Sequence, residues 1–277
     1  MDKCEIFRLI ANQVAHTELA FPTGVQVALK VRDALDDEDC SAATVARLIQ
    51  AEPLLASRII AIANSVVYNR SGQPVTEVKA ALSMLGFSTV RSLAMALVTR
   101  QMAGQSNDPK HRELLAKLWE HTAHVAALAH AIARHVTHQN PETALFAAIV
   151  HDIGGFYMLS RVAEFPQLLS GDFSDWIESG EVIVGRAVLD RLAVPESIVT
   201  VLEEFWDGYL TMPPVTLSDT LLLAEELSPV ASPLHRVDGA ESAGVAQIEM
   251  LIGEELLSLI LTEAAEEVSS LTRALQF

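Results

Sequence analysis

The chain has 277 residues, of which 50% are hydrophobic, and its 36 acidic against 19 basic residues leave a net charge of −17. That charge repels phosphate backbones and anionic lipid headgroups, so nucleic acids and membrane surfaces are not expected as direct ligands. Two cysteines without a motif indicate a reducing compartment. With no basic-then-apolar leader and no long uninterrupted apolar run, we expect a soluble cytoplasmic protein.

The first part of the chain, residues 1–105, predicts a helical lobe. Apolar residues recur at a spacing of three and four, and no stretch alternates as a strand would. Ser41 is expected to cap the third helix and Pro53 to open the fourth. This lobe offers no cluster of catalytic residue types. The predicted helices are Cys4–His16, Val25–Leu35, Ala42–Gln50, Leu54–Ser65, Val75–Leu85 and Ser88–Met102.

The second part, residues 106–277, predicts another all-helical lobe, which begins near the polar linker Gly104–Lys110. Its first two helices are expected to lie side by side as a hairpin. Gly154 and Gly155 predict the end of the second helix, and Gly253 predicts a break in the last one. The predicted helices are Glu113–His135, Glu142–Gly154, Phe156–Leu169, Trp176–Leu192, Pro195–Tyr209, Leu217–Leu227 and Ala246–Leu275.

One stretch of the second lobe carries residues that suit chemistry. Residues 143–156 read TALFAAIVHDIGGF, so an apolar helical run ends in the adjacent pair His151-Asp152. Imidazole and carboxylate together suit borderline divalent metals if a second helix crosses near that end. His121, on the preceding helix, is the nearest candidate for a further ligand. The alternative is a capped core helix in which His151 and Asp152 satisfy each other.

Several stretches in both halves carry a resemblance to a known family. In the first lobe they are residues 43–64 (ATVARLIQAEPLLASRIIAIAN) and 78–93 (VKAALSMLGFSTVRSL). In the second lobe they are Trp119-x-His121, residues 147–154 (AAIVHDIG), Gly185 and Leu192-x-Val194-Pro195. Together these stretches resemble HDOD domains, the regulatory relatives of the HD and HD-GYP metal-dependent phosphohydrolases. Glu52 stands where the family usually has Asp.

The resemblance implies an all-α fold of two helical lobes, the second an HD-like bundle, and a role in bacterial signal transduction. Active HD enzymes hold a divalent metal with a His…His-Asp…Asp set and hydrolyse phosphate esters, including cyclic dinucleotides in one branch. The implied metal ligands here, for Mn, Fe, Mg or Zn, are His121, His151, Asp152 and Asp219. Glu181 and Glu204 lie roughly where two-metal members carry further histidines, and are additional candidates.

Three functions stay open from the sequence. The first is a regulatory module that acts on protein partners in trans without catalysis. The second is a metal-dependent phosphohydrolase, and the third is a pocket that senses a nucleotide or another small ligand. Departures from active enzymes favour the first: no histidine lies between Asp152 and His235, and Gly155 replaces a Lys common in active relatives. The basic residues between Asp152 and Asp219 are Arg161, Arg186 and Arg191, and nothing in the sequence places any of them in the site. The acidic surface and the C-terminal helices are the expected contact regions, and the oligomeric state is left open.

Overall fold

The computed structural model describes residues 2–16, 23–35, 37, 40–102, 108–235 and 244–275, and within these ranges the chain is all-α and contains no strand. The predicted fold class is therefore confirmed. The α-helices are α1 (Lys3–His16), α2 (Thr23–Leu35), α3 (Ala42–Gln50), α4 (Pro53–Ala63), α5 (Val78–Met102), α6 (Pro109–Ile132), α7 (Pro141–Val150), α8 (Ile153–Ser160), α9 (Glu181–Arg191), α10 (Glu196–Trp206), α11 (Leu217–Leu227), α12 (Gly244–Ile252) and α13 (Glu254–Leu275).

Local signals in the first half act as the sequence predicts. The Ser41 hydroxyl accepts a hydrogen bond from the Thr44 amide at 3.2 Å and so caps α3. Pro53 is the first residue of α4, where its missing N–H costs no hydrogen bond. Gly86, with a φ of 77° and a ψ of 166°, is not helical and interrupts α5, so the two helices predicted on either side of it are present as the two parts of α5. Most of the predicted linker Gly104–Lys110 lies outside the described residues.

Terminal helices cross the boundary predicted at residue 105. The first helix, α1, packs on α9 of the second half and on the turn before it, where Phe7 meets Trp176 edge-on with ring centroids 5.6 Å apart. The last helix, α13, packs on both α6 and α4. Each half of the chain therefore buries part of its apolar surface against a helix from the other half.

The second half begins with the expected antiparallel pair, α6 and α7. A π-helical turn at Ala133–Thr137 ends α6, and His138 reverses the chain in a left-handed conformation with φ 53°. Asn140 then caps α7, with its side chain accepting from the Thr143 amide, and Pro141 occupies the first helical position. The hairpin places the middle of α6 beside the end of α7.

The predicted role of Gly154 and Gly155 as helix terminators is wrong. Helix α7 ends at Val150, and the two glycines lie inside the next helix, α8. A Cβ added to Gly154 would lie 2.6 Å from the Cα of Gly185 on α9. The glycines are therefore needed for the close approach of two helices and not for a break in one. The predicted helix Phe156–Leu169 is shorter than expected, because α8 ends at Ser160 and only a 3₁₀ turn (Pro166–Leu169) follows. The predicted helix Trp176–Leu192 is continuous, since a π-helical turn (Trp176–Gly180) leads directly into α9.

A buried polar cluster joins α13 to the hairpin. The two ring nitrogens of His130 face two carboxylates: Nδ1 lies 2.9 Å from Glu267 of α13, and Nε2 lies 3.5 Å from Glu142 of α7. Thr89 of α5 donates to the other oxygen of Glu142 at 2.8 Å. Burial lowers the pKa of His130, but the hydrogen bonds and charges of Glu142 and Glu267 outweigh it and raise that pKa to about 9. A charged histidine thus bridges three helices.

Two stretches, Val78–Met102 and Pro141–Ser160, are long and apolar enough to cross a membrane by length and composition alone. In the fold, 67% and 89% of their most apolar windows are buried. Both are core helices, and this burial accounts for their composition.

Gly154→Ala should destabilise the protein by about 1–3 kcal/mol, because the new methyl group would overlap backbone atoms of Gly185 that cannot move without separating α8 from α9. Gly155→Ala is the control, because its Cβ would meet only the flexible end of Leu234, at 2.5 Å. Urea unfolding of both variants measures the difference. Equal losses in the two variants would contradict this account of the α8–α9 contact.

His130→Gln should flatten the pH dependence of stability on the alkaline side. A histidine whose pKa rises from 6.5 to about 9 on folding stabilises fully below pH 6.5 and loses that contribution as the pH passes 9. The loss amounts to about 3 kcal/mol for the unmodified chain. Urea unfolding at several pH values between 6 and 9.5 checks it, with His138→Gln at an exposed histidine as the control. Parallel stability curves for His130→Gln and the unmodified chain would refute the bridge.

Candidate metal centre

Three of the four predicted ligands meet where the hairpin closes. His121 lies in the middle of α6, while His151 and Asp152 form the turn between α7 and α8. Their exposed fractions are 0%, 2% and 2%. Because α6 runs antiparallel to α7, the middle of α6 faces the end of α7, and the turn aims both of its side chains at His121. The sequence order of the motif thus becomes a spatial cluster.

The three side chains of this cluster lie close enough together to bind one metal ion. Nε2 of His151 lies 3.2 Å from Oδ2 of Asp152, and Nε2 of His121 lies 3.6 Å from the same oxygen. One potential ligand atom from each of the three residues lies within 4.8 Å of the others. The imidazole rings stand 5.5 Å apart at 60°, so they converge at their edges and do not stack.

A second carboxylate comes from α11, but it is not the residue that the sequence analysis named. Oε2 of Glu225 lies 3.1 Å from Nε2 of His121 and 3.8 Å from Nε2 of His151. One signal in the sequence could have found it. Ser218 and Leu221 are buried, and Glu225 follows them at i+7 and i+4, on the same face of the helix.

Asp219 lies outside the cluster and holds a loop instead. Its carboxylate accepts hydrogen bonds from the amides of Thr211, Val215 and Thr216 at 2.8–2.9 Å and from the Thr211 hydroxyl at 2.6 Å. Its own amide donates to the Thr216 hydroxyl, which completes a capping box at the start of α11. Burial raises the pKa of Asp219, but these hydrogen bonds outweigh it and lower that pKa to about 2. The oxygens that a metal would need already have partners.

Of the two additional candidates, one borders the cluster and one does not. Glu204 is exposed on α10. Glu181 is buried at the start of α9, with Oε2 lying 3.1 Å from Nε2 of His235. The positive charge of His235 helps to lower the pKa of Asp152, so this pair lies beside the cluster. His235 is a further candidate that the sequence analysis named only as a boundary.

Both histidines are oriented by backbone carbonyls. Nδ1 of His121 donates to the Val230 carbonyl at 2.7 Å, and Nδ1 of His151 donates to the Ala148 carbonyl at 2.5 Å. A proton held on Nδ1 leaves Nε2 as the free lone pair of a neutral ring, which is the arrangement found in histidines that ligate metals. The two Nε2 atoms therefore point into the cluster as potential ligands.

Three buried atoms of the cluster have no hydrogen bond, and they indicate whether a cation would fit there. They are Nε2 of His121, Nε2 of His151 and Oε2 of Glu225. Oε2 of Glu225 lies 3.1 Å from Nε2 of His121 and 3.8 Å from Nε2 of His151, yet neither contact has the geometry of a hydrogen bond. Buried polar atoms normally have partners. Buried donor atoms that lie close together without bonding to one another fit a single divalent ion, as does the mixed nitrogen and oxygen donor set.

Without a cation, protons balance the charge of the cluster. Burial lowers the pKa of His151, but the negative charges of Asp152 and Glu225 outweigh it and raise that pKa to about 9. Burial raises the pKa of Asp152, and the charges of the two histidines more than reverse this and hold it well below its usual range. A bound cation would displace protons from the rings, so its affinity should rise with pH.

An all-α chain that brings two histidines and two carboxylates together from α6, the α7–α8 turn and α11 is an HD-like helical protein. It belongs to the HDOD domain family, whose pattern matches residues 21–174, more than half of the chain. The pattern of the HD domain matches residues 118–239, a range that contains all four residues of the cluster. The resemblance seen in the sequence is thereby confirmed.

Solved structures share this fold over nearly the whole chain. A protein from Shewanella amazonensis SB2B, named as a candidate metal-dependent phosphohydrolase, has a TM-score of 0.70 at 23% identity, covering 96% of this chain and 98% of that one. An HDOD domain protein with unknown function from Geobacter sulfurreducens has a TM-score of 0.67 at 17% identity, covering 99% of both chains. A candidate signal transduction protein from Marinobacter aquaeolei VT8 has a TM-score of 0.61 at 15% identity, covering 99% of this chain and 67% of that one. At these identities the likeness concerns the fold alone. No curated protein matches the sequence.

Two substitutions on α11 should separate the ligand suggested by the sequence from the one suggested by the structure. Asp219→Ala should cost about 2–4 kcal/mol of stability, because three amides lose a charged acceptor, and should leave metal affinity nearly unchanged. Glu225→Gln should weaken metal affinity and leave stability nearly unchanged. Loss of an outer partner costs about 10–100-fold in affinity, and loss of a direct ligand should exceed that. Urea unfolding measures the stability of each variant, and isothermal titration calorimetry with Mn²⁺ measures its metal affinity. A larger affinity loss in Asp219→Ala would assign the site to Asp219.

Proposed function

We propose that this protein is a regulatory module of the HDOD family that holds one divalent metal ion and acts by binding protein partners in trans, without catalytic turnover. The metal part is supported by the three buried, unpartnered atoms of His121, His151 and Glu225 that converge beside Asp152. These four residues would hold the ion. Two nitrogen and two oxygen donors favour Mn²⁺, Fe²⁺ or Zn²⁺ over Mg²⁺, which prefers oxygen ligands only.

The engagement of Arg161 and Arg186 away from the site supports a role without turnover. A metal of this kind, when bound, supplies a Lewis acid to a phosphoryl group, but phosphoester hydrolysis also needs cations for the negative charge that develops in the transition state. Arg161 is bonded to Gln13 and Glu164. Arg186 forms ion pairs with three acidic residues of α9 and α10, Asp190, Glu196 and Glu203. Arg191 is exposed at the end of α9. Each of these arginines is thus engaged elsewhere or faces solvent.

The cover over the cluster supports the same conclusion. The segment after α11 lies across it: the Val230 carbonyl holds His121, and Leu234, which is fully buried, lies against Gly155. Three of the four residues, His121, His151 and Asp152, are at most 2% exposed, and only the Glu225 side chain, at 25%, reaches the surface. A substrate of phosphodiester size would have to displace this segment. The metal then serves to hold α6, the α7–α8 turn and α11 in one arrangement.

A metal-dependent phosphohydrolase is the second candidate, and the partial exposure of Glu225 favours it. That side chain marks a path along which a small phosphate ester could approach the cluster. The His235–Glu181 pair lies beside the cluster and offers an acid or base next to it. Burial lowers the pKa of His235, but Glu181 outweighs it and raises that pKa to about 9, so the ring is protonated at neutral pH.

Metal analysis of the purified chain tests the proposal. We expect about one Mn, Fe or Zn per chain after reconstitution and a rise in melting temperature of several degrees, because a ligand that binds only the folded state stabilises it. The double variant His121→Ala/Asp152→Ala should lose both effects, while Glu204→Ala, at an exposed residue, should keep them. Circular dichroism confirms that the double variant is folded. Equal metal content in the double variant would refute the site.

The same preparations decide between the module and the enzyme. We expect the Mn²⁺-loaded chain to release no more product from bis(p-nitrophenyl) phosphate or cyclic dinucleotides than the double variant does. Turnover that requires His121 and Asp152 would establish the phosphohydrolase and end the proposal of a silent module. A nucleotide that raises the melting temperature without being turned over would support a sensing pocket in its place.

A further inference from the structure

Within the part of the chain that the structure describes, nothing covers an apolar groove beside the last two helices. Helix α13 docks on the core through one stripe, in which Leu257, Ile260, Ala264 and Glu267 are buried. The next stripe around the same helix borders an open groove of about 590 Å³ between α12 and α13, and its apolar lining is Leu257, Leu261 and Ala265. Leu261 is 40% exposed there. An amphipathic helix normally buries one stripe and leaves polar residues on the rest.

The groove is built on a firmly held helix. Glu267 of α13 lies 2.9 Å from His130, and Glu263, one turn earlier, lies 3.0 Å from His135 and 3.6 Å from Arg134. These contacts fix α13 to the hairpin from its inner side. A preformed groove reduces the entropy cost of binding, because the wall does not have to be ordered when a partner arrives.

The rim of the groove carries one sign of charge. Glu249 of α12 and Glu254 and Glu266 of α13 line it, and none of its described lining residues is basic. The chain as a whole carries −17, so a second copy would be repelled, and so would an anionic membrane. Charge complementarity therefore selects a basic partner.

We propose that this groove is the docking site for a basic amphipathic helix of a partner protein. The inference rests on the proposed role of the chain as a module that acts through protein partners, and it names the surface and the chemistry of the contact. Leu257, Leu261 and Ala265 follow one another at i, i+4 and i+8, which matches apolar anchors of the same spacing on a helix laid along the groove. Lysine or arginine residues flanking those anchors would meet the three glutamates.

The test uses synthetic peptides and the full chain. The probe is a fluorescein-labelled helical peptide with leucines on one face and lysines on the other. A scrambled peptide of the same composition and a version with glutamate in place of lysine are compared at physiological salt by fluorescence anisotropy. We expect the first to bind at least about tenfold more tightly than the other two, because only it presents both the apolar face and the charges in register.

Matched variants locate the binding. Glu254→Lys/Glu266→Lys should weaken the lysine peptide by about tenfold or more, since attraction at the rim becomes repulsion. The control Glu77→Lys/Glu178→Lys changes the net charge equally at exposed residues away from the groove and should change affinity little. Leu261→Asn, a milder change on the groove face, should also weaken binding. Equal effects of the two charge variants, or equal binding of the scrambled peptide, would show non-specific attraction to an acidic protein and overturn the proposal.

Two further outcomes are distinguishable. Dimerisation of the chain that Leu261→Asn abolishes would assign the groove to a second copy and overturn the basic partner. The peptide titration is run on metal-free and metal-loaded chain, because the groove shares no residue with the metal cluster. Peptide binding without any metal uptake would support the docking groove and refute the metal centre. Metal uptake without peptide binding would support the metal centre and refute the docking groove.

Discussion

The burial of two histidines and two carboxylates in one place constrains the rest of this structure. His121, His151 and Asp152 are almost entirely inside, and Glu225 reaches them from α11. Buried charges are tolerated only when they compensate one another or surround an ion. Backbone carbonyls hold both histidine rings in place beside the two carboxylates. The compensation between these charges therefore requires α6, α11 and the α7–α8 turn to keep a single arrangement. Without a cation, shared protons supply the compensation.

Helix α11 shows how one element divides two tasks between two acids. Asp219, in the first turn, faces unpaired amides at the start of the helix and the preceding loop, where a negative charge is favourable. Glu225 lies six residues on, about 9 Å along the axis and on another face. The first acid shapes a loop and the second reaches the histidines. Exchanging their roles would require the helix to slide and rotate, and its buried residues on both sides, such as Leu221 and Ala224, prevent that.

The electrostatics of the surface and of the centre point to the same class of role. A chain at −17 whose Arg161 and Arg186 are paired with its own acids offers little to a phosphate. The same excess of acid suits a basic protein partner, and the rim of the α12–α13 groove concentrates it beside exposed apolar residues. The proposed function combines a buried ion that would secure the helices with an acidic surface that would contact a partner.

The sequence by itself determined most of what is local. Apolar spacing located the helices, Ser41 and Pro53 marked their starts, and the motifs in both halves, including the one around His151-Asp152, indicated the family. Tertiary structure decided what depends on how helices cross. It placed Glu225 at the centre and Asp219 in a cap, left Glu204 exposed, and turned Gly154 from an expected terminator into a contact with Gly185. The reason is physical: periodicity shows which face of a helix is buried, whereas the partner that each side chain meets depends on the angle and depth at which a second helix packs against it.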